Sequence, residues 1–304
     1  MKTLIIGFGS IGKKHFLALK AQNLAVDIVS KSTTKTSYEN FDFTLFKSLK
    51  EAPLNDYELF IIANITTAHF DTLKSLDKAV KDKIILVEKP LFERYKAYES
   101  GRNSVFIAYL LRFHPVIMAL KEFLSKDKKP YFASLECDSY LPKWRSGDYS
   151  KQYSARKELG GGVSLDLSHE IDLALWFFKK AKLKFSQIAK LSKLDINSDD
   201  LAFFALKSKK TCVHIRLNYF SKFERRIFTL HTENKSYKAD LVRNKISIYE
   251  KDGTFEEYQY EANTINTLKN LHKVIKRKDK NLCTLKEGQR VMKLITKAKN
   301  ENFV

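Results

Sequence analysis

The chain has 304 residues, 44% of them hydrophobic and 12% aromatic, which excludes a disordered protein and is enough for two domains with separate cores. Its three cysteines, Cys137, Cys212 and Cys283, form no C-x-x-C pair, so a disulfide framework is excluded and free buried thiols in a reducing compartment are expected. The formal charge of +20 comes from lysines spread along the whole chain, with short clusters only within 207–210 and 276–280; no recognition motif accompanies it, so no nucleic-acid partner is expected, although such a field favours a phosphorylated substrate.

The opening Met1-Lys2 and Leu4-Ile5-Ile6 are too short for a signal peptide, and no apolar run is long enough to span a bilayer, so a cytoplasmic protein with no membrane partner is expected. Residues 3–7 read as a short buried strand and 12–21 as the helix after it. Strands follow at 26–30 and 59–63, a helix at 68–80, and strands at 84–87 and 105–109. Short apolar strands alternating with amphipathic helices predict a parallel sheet covered on both faces. The pattern changes after Arg112. A helix is predicted at 114–124, a strand at 131–140, a polar loop to about 158, then Gly160-Gly161-Gly162 and one long helix through Phe178. From 186 to 260 strand follows strand, with turn residues at 208–210, 233–234 and 252–253, which predicts an antiparallel meander. Helices at 264–276 and 286–299 close the chain. The fold class is α/β plus α+β: an N-terminal Rossmann parallel sheet over 1–112, and over 113–304 a C-terminal α+β domain built on a large, mostly antiparallel sheet for substrate binding and oligomerisation.

Gly7-Phe8-Gly9-Ser10-Ile11-Gly12 is a G-x-G-x-x-G motif that leaves an apolar strand and opens a helix, the context a dinucleotide site requires. Gly7 allows the tight turn, Gly9 lets backbone N–H groups approach a pyrophosphate, and Gly12 lets helix and strand pack closely. The second strand ends in Ser30-Lys31-Ser32, whereas an NAD site places an acid there for the ribose 2′-hydroxyl. Hydroxyls and a cation suit a 2′-phosphate, so the NAD(P) site leans to NADP(H). Asp27 lies earlier, within the strand.

Further along come Glu88-Lys89-Pro90 after a buried strand, Arg112-Phe113-His114-Pro115, and the run from Gly160 through Val163, Asp166, His169 and Glu170 to Asp172. With the glycine turn, these four motifs in this order resemble the Gfo/Idh/MocA family, named for glucose–fructose oxidoreductase and inositol dehydrogenase. The stretch from Tyr140 through Trp144 and Arg145 to Tyr153 resembles a branch linked to bacterial surface-sugar biosynthesis. The resemblance implies that Lys89 sits between nicotinamide and substrate, where an ammonium stabilises developing alkoxide, with a cis bond at Pro90 fixing its direction. It implies that His169 is the acid/base, since imidazole titrates near neutral pH. Asp166 and Asp172 lie three residues either side of His169, so helical spacing puts either carboxylate on its face. Many family members place the aspartate one residue earlier, which leaves the role of Asp166 open.

The resemblance also places the loop of Asn64, Thr66, Thr67 and His69 against the nicotinamide, with Ile65 where the family has proline, and adds Glu88 to the cofactor contacts. Arg112 is expected either at cofactor or substrate or in a salt bridge at the domain junction. Trp144, Arg145 and Tyr153 are expected on the substrate loop, because aromatic faces stack on sugars and arginine forks bind carboxylate or phosphate. No metal-ligand spacing and no G-x-S-x-G element occur. The expected protein is an NAD(P)-dependent dehydrogenase or reductase acting on a hydroxyl or keto carbon of a sugar, sugar nucleotide or related polyol, assembled as a homodimer or homotetramer. The alternatives are a catalytically silent dinucleotide-binding regulatory or assembly protein, and an enzyme that recycles a retained cofactor.

Overall fold

The computed structural model describes residues 1–32, 38 and 40–302, with side chains through residue 300. In chain order its elements are β1 (Thr3–Ile6), α1 (Ser10–Lys20), β2 (Val26–Val29), β3 (Leu45–Phe46), β4 (Leu59–Ile62), α2 (His69–Ala79), β5 (Ile84–Val87) and β6 (Ser104–Ile107). Then come α3 (Pro115–Ser125), β7 (Phe132–Tyr140), α4 (Val163–Asp166), α5 (Ser168–Phe177), β8 (Lys182–Ala189), β9 (Leu201–Ser208), β10 (Thr211–Asn218) and β11 (Phe220–His231). The chain closes with β12 (Lys235–Asp240), β13 (Lys245–Glu250), β14 (Phe255–Gln259), α6 (Thr264–Ile275), β15 (Cys283–Thr284) and α7 (Leu285–Asn302). Two compact units result: Met1–Phe113 with Asn263–Gln289, and His114–Ala262 with Arg290–Val304.

The first unit is a seven-stranded sheet ordered β15-β6-β5-β4-β1-β2-β3, parallel except for β15 against β6. Every residue of β1, β2, β4 and β5 is buried, as expected of strands covered on both faces. The sequence reading assigned everything after 112 to the second domain. The segment 263–289 instead completes the first: Leu271, Ile275 and Leu282 join the apolar cluster of Ile5, Phe16, Leu19 and Ile28. Buried apolar residues at Leu268, Leu271 and Ile275 put a stripe on one side of α6, which packs on α1. A Cβ on Gly288 would run into the side chain of Ile107, so the start of α7 approaches β6 closely.

The second unit is an eight-stranded sheet ordered β14-β13-β12-β11-β7-β10-β9-β8. It is not a simple meander. β7 inserts between β10 and β11, parallel to the first and antiparallel to the second. The chain therefore leaves β10 at Asn218, crosses the end of β7 at Tyr219, and returns as β11, with Leu141 N–H bonded to the Tyr219 carbonyl at 2.9 Å. Alternating burial along β7 and β10 sends Ala133, Leu135, Cys137, Val213, Ile215 and Leu217 inward. α5 packs on these strands and is buried at nine of its ten positions, Ser168 through Trp176. Burial pushes the Cys137 thiol up to about 12, so it is inert as a nucleophile.

Inside this unit Arg226 Nε donates to Glu170 Oε1 at 2.6 Å, and Glu170 is only 3% exposed. Losing the carboxylate leaves the Arg226 guanidinium, 27% exposed, without this partner. The Glu170→Ala variant is expected to lose about 1–3 kcal/mol of stability, read as a lower urea midpoint at unchanged m-value.

Candidate active site

Backbone geometry at the glycine turn follows from its residues. Gly7 has φ +97°, and a Cβ there would sit 2.5 Å from the Asn64 backbone, so only glycine fits. A Cβ on Gly12 would strike the Gly7 carbonyl, which explains glycine where α1 passes over β1. Gly9 differs: it is exposed, it caps α1 with no side-chain hydrogen bond, and nothing lies within 4 Å of its Cβ position. The first backbone N–H groups of α1, beginning at Ser10 and Ile11, have no partner within the helix, and the helix dipole favours an anion at that end.

β1 lies between β2 and β4, and the strand order reverses there, so the turn sits at the topological switch point. The same C-terminal sheet edge carries Lys89, just past β5, two strands away from the glycine turn. Lys89 is half-buried and its bond to Pro90 is cis.

Other expected contacts prove to be internal. Glu88 is 3% exposed; Oε1 lies 2.8 Å from His15 Nε2, and Oε2 accepts the Lys89 N–H at 3.0 Å. His69 is 1% exposed, with Nδ1 at 3.1 Å from the Pro90 carbonyl and Nε2 at 3.1 Å from the Asn64 carbonyl. It packs between the β4 loop and the lysine turn, a neutral ring donating to one of the two carbonyls, and burial pulls its pKa below the usual value against the lift from those carbonyls and Glu88. Arg112 is also interior: its Nη1 lies within 3.4 Å of the carbonyls of Asn281 and Leu282 and 3.2 Å from Glu287. These bonds hold the returning segment 281–287 and give Arg112 a structural task within the first unit. Asn64, Thr66 and Thr67 are partly exposed, and Asn64 Nδ2 donates to Thr72 at 2.9 Å.

At the end of β2 Ser30 is buried and Lys31 exposed, while residues 33–37 and 39 lie outside the described residues. Asp27, in mid-strand, accepts Tyr57 Oη at 2.8 Å and the Thr44 N–H at 2.7 Å. Despite its burial, these bonds and Lys2 hold its carboxyl below the usual range. Its charge is thus neutralised inside the domain.

In the second unit the expected long helix is two. Leu167, at φ −98° and ψ 27°, separates α4 from α5. Asp166 ends the first and His169 opens the second, so continuous helical spacing is kept only between His169 and Asp172. His169 is 7% exposed and Asp172 1%. The Asp166 carboxylate accepts the hydroxyl of Tyr219, the residue at the β7 crossing. Burial and the Asp166 charge both push the Tyr219 and Tyr153 phenols up, which keeps them protonated donors. Arg145 lies over the Tyr153 ring at 4.9 Å from its centroid, and Trp144 packs edge-on to Tyr219 at 5.1 Å. Behind α4, Asp199 accepts the Ser164 N–H at 2.8 Å and pairs with Lys299 at 2.8 Å, and a Cβ on Gly162 would collide with it. Sequence reasoning missed Tyr219 and Asp199, whose partners are distant in sequence; only their place at strand ends signalled them. Among the described residues no cluster of His, Cys, Asp and Glu is arranged to hold a metal ion, and no helix is long and apolar enough to cross a membrane.

The glycine turn, switch point and lysine turn define a class: a dinucleotide-binding Rossmann domain joined in one chain to a domain built on a large, mostly antiparallel sheet. Residues 1–101 match the model of the GFO_IDH_MocA family, an oxidoreductase family with an NAD-binding Rossmann fold. No curated protein matches the chain by sequence. Solved structures are similar over its whole length. The UDP-N-acetylglucosamine 3-dehydrogenase GnnA from Acidithiobacillus ferrooxidans matches with TM-score 0.78 at 17% identity, covering 99% of this chain and 97% of that one. A levoglucosan dehydrogenase in complex with NADH and levoglucosan matches with TM-score 0.82 at 16% identity, covering 99% and 96%. The WlbA dehydrogenase from Bordetella pertussis, in complex with NADH and UDP-GlcNAcA, matches with TM-score 0.77 at 15% identity, covering 99% and 97%. At such identities the likeness is one of fold.

Proposed function

We propose that the protein is an NAD(P)-dependent dehydrogenase or reductase acting on a hydroxyl or keto carbon of a sugar, sugar nucleotide or related polyol. The observation that carries this reading is the shared C-terminal sheet edge: the glycine turn at the switch point and, two strands away, the turn that bears Lys89. The residues fit a dinucleotide, since the glycine turn opens a helix and, among the described residues, nothing lies within 4 Å of a Cβ built on Gly9. When bound, the cofactor supplies or accepts a hydride at its nicotinamide. Gly7, Gly9, Ser10, Ile11 and Gly12 bind its pyrophosphate; Asn64 and Thr66 line the neighbouring loop. Lys89 stabilises the negative charge that grows on the reacting oxygen, and His169 takes or returns the hydroxyl proton. Trp144, Arg145, Tyr153 and Asp172 orient the sugar, with Asp166 holding the Tyr219 phenol in place. The similar solved structures include a UDP-N-acetylglucosamine 3-dehydrogenase, a levoglucosan dehydrogenase with levoglucosan and a dehydrogenase with UDP-GlcNAcA, which supports that substrate class. Oxidation of NADPH and NADH against a panel of keto-sugars and sugar nucleotides tests the reading. Cofactor binding without turnover on any of them would turn it toward a regulatory or assembly role.

The coenzyme preference we propose is NADP(H). Lys31 is exposed after β2, and Asp27 is already neutralised by Tyr57, Thr44 and Lys2. NADH in two of the solved relatives argues the other way. A Lys31→Asp variant is expected to bind NADPH about tenfold more weakly while NADH affinity holds or improves, as titration of nicotinamide fluorescence reads. Equal losses for both coenzymes would refute the preference. We also propose a homodimer or homotetramer built through the sheet of the second unit, which exposes Phe185, Phe223, Tyr249 and Phe255; light scattering reads its mass.

A further inference from the structure

The first unit contains a buried chain of ionisable groups that hydride transfer does not by itself require. It runs from Glu88, after β5, through His15 on α1 to His272 on α6, and these are 3%, 0% and 3% exposed. Glu88 Oε1 lies 2.8 Å from His15 Nε2, and His15 Nδ1 lies 2.9 Å from His272 Nε2. The other carboxylate oxygen, Oε2, accepts the backbone N–H of Lys89 at 3.0 Å.

The proton positions follow from burial. Desolvation by burial holds His272 well below its usual pKa, so it is neutral and carries one N–H. Its Nδ1 is buried with no hydrogen-bond partner among the described residues. Putting the proton there would strand an N–H donor at a cost of about 1–3 kcal/mol. The proton therefore sits on Nε2 and is donated to His15 Nδ1. That leaves the His15 proton on Nε2, donated to Glu88. Every bond in the chain then points one way, and only a lone pair is left without a partner.

We infer that this chain is a positioning relay for Lys89. His272 sets the His15 tautomer, His15 fixes the Glu88 carboxylate, and the carboxylate fixes the Lys89 backbone. His15 and His272 touch neither cofactor nor substrate. The inference rests on the role of Lys89 given above, and it links that lysine to α1, the helix whose N-terminus faces the pyrophosphate.

Two measurements test it. The first needs no substrate: long-range proton–nitrogen NMR on protein labelled at histidine nitrogens is expected to show Nε2–H on both His15 and His272. A His272 proton on Nδ1 would overturn the relay. The second compares turnover in His272→Leu and His272→Gln. The leucine variant is expected to lose about tenfold in kcat at unchanged cofactor affinity, since small misplacements of a reacting group cost that much, while glutamine, whose amide keeps a donor, recovers most of it. Leucine turnover within twofold of wild type, or glutamine as poor as leucine, would overturn the relay and leave a packing role. Wild-type protein that binds cofactor but turns over no substrate would remove the functional reading alone, because the tautomers are read independently.

Discussion

Replacing Lys89 by alanine is expected to lower kcat/KM by about 100- to 1,000-fold, the usual cost of losing a donor aimed at developing negative charge. Replacing His169 by alanine should cost about 100- to 10,000-fold, the range for a positioned acid/base. Neither side chain lies in the glycine turn, so dinucleotide affinity should change little in both. Near wild-type turnover of a true substrate by both variants would end the assignment.

The fold should also weaken as pH falls below about 6.5. Three histidines are held neutral in the interior. Burial, with the Arg226 guanidinium adding to it, pulls His114 from 6.5 to about 4; burial lowers His69 from the same value and takes His272 well below it. All three folded-state pKa values lie beneath the unfolded ones. The unfolded chain therefore binds the extra protons first, and stability is complete above about pH 6.5 and lost toward pH 4. Each such histidine contributes a slope of up to about 1.4 kcal/mol per pH unit in that window. Carboxylates with lowered values, such as Asp27 and Asp127, extend the loss to lower pH. Urea midpoints measured from pH 7.5 to 4.5 should fall steadily, and His114→Asn should flatten the fall. A flat profile would show that these rings take up protons equally in the folded and unfolded chain, and the expectation would fail.

What the sequence disclosed is what local chemistry determines. The glycine turn announces itself because Gly7, Gly9 and Gly12 each answer a steric or electrostatic demand within one strand–turn–helix. The alternation of strands and helices up to Arg112 is likewise local. The rest depends on partners distant along the chain. Nothing near Asp166 indicates that Tyr219 will reach it, because that meeting requires β7 to insert between β10 and β11. Nothing near Arg112 shows that its guanidinium will be taken up by Asn281, Leu282 and Glu287. The break at Leu167 is invisible to apolar periodicity, because the residues on both sides are buried all round. Buried helices carry no stripe to count, so periodicity sees one helix where the chain makes two.

The return of 263–289 to the first unit has a consequence for biosynthesis. A ribosome releases the glycine turn early, but Leu271, Ile275 and Leu282 emerge only after the entire intervening sheet has been translated. Until then the nascent Rossmann half has an uncovered greasy flank on α1 and lacks its outermost strand. A fragment ending at Phe113 would therefore expose apolar surface that the returning segment covers. Cutting this polypeptide at the apparent domain border would divide one core between two pieces.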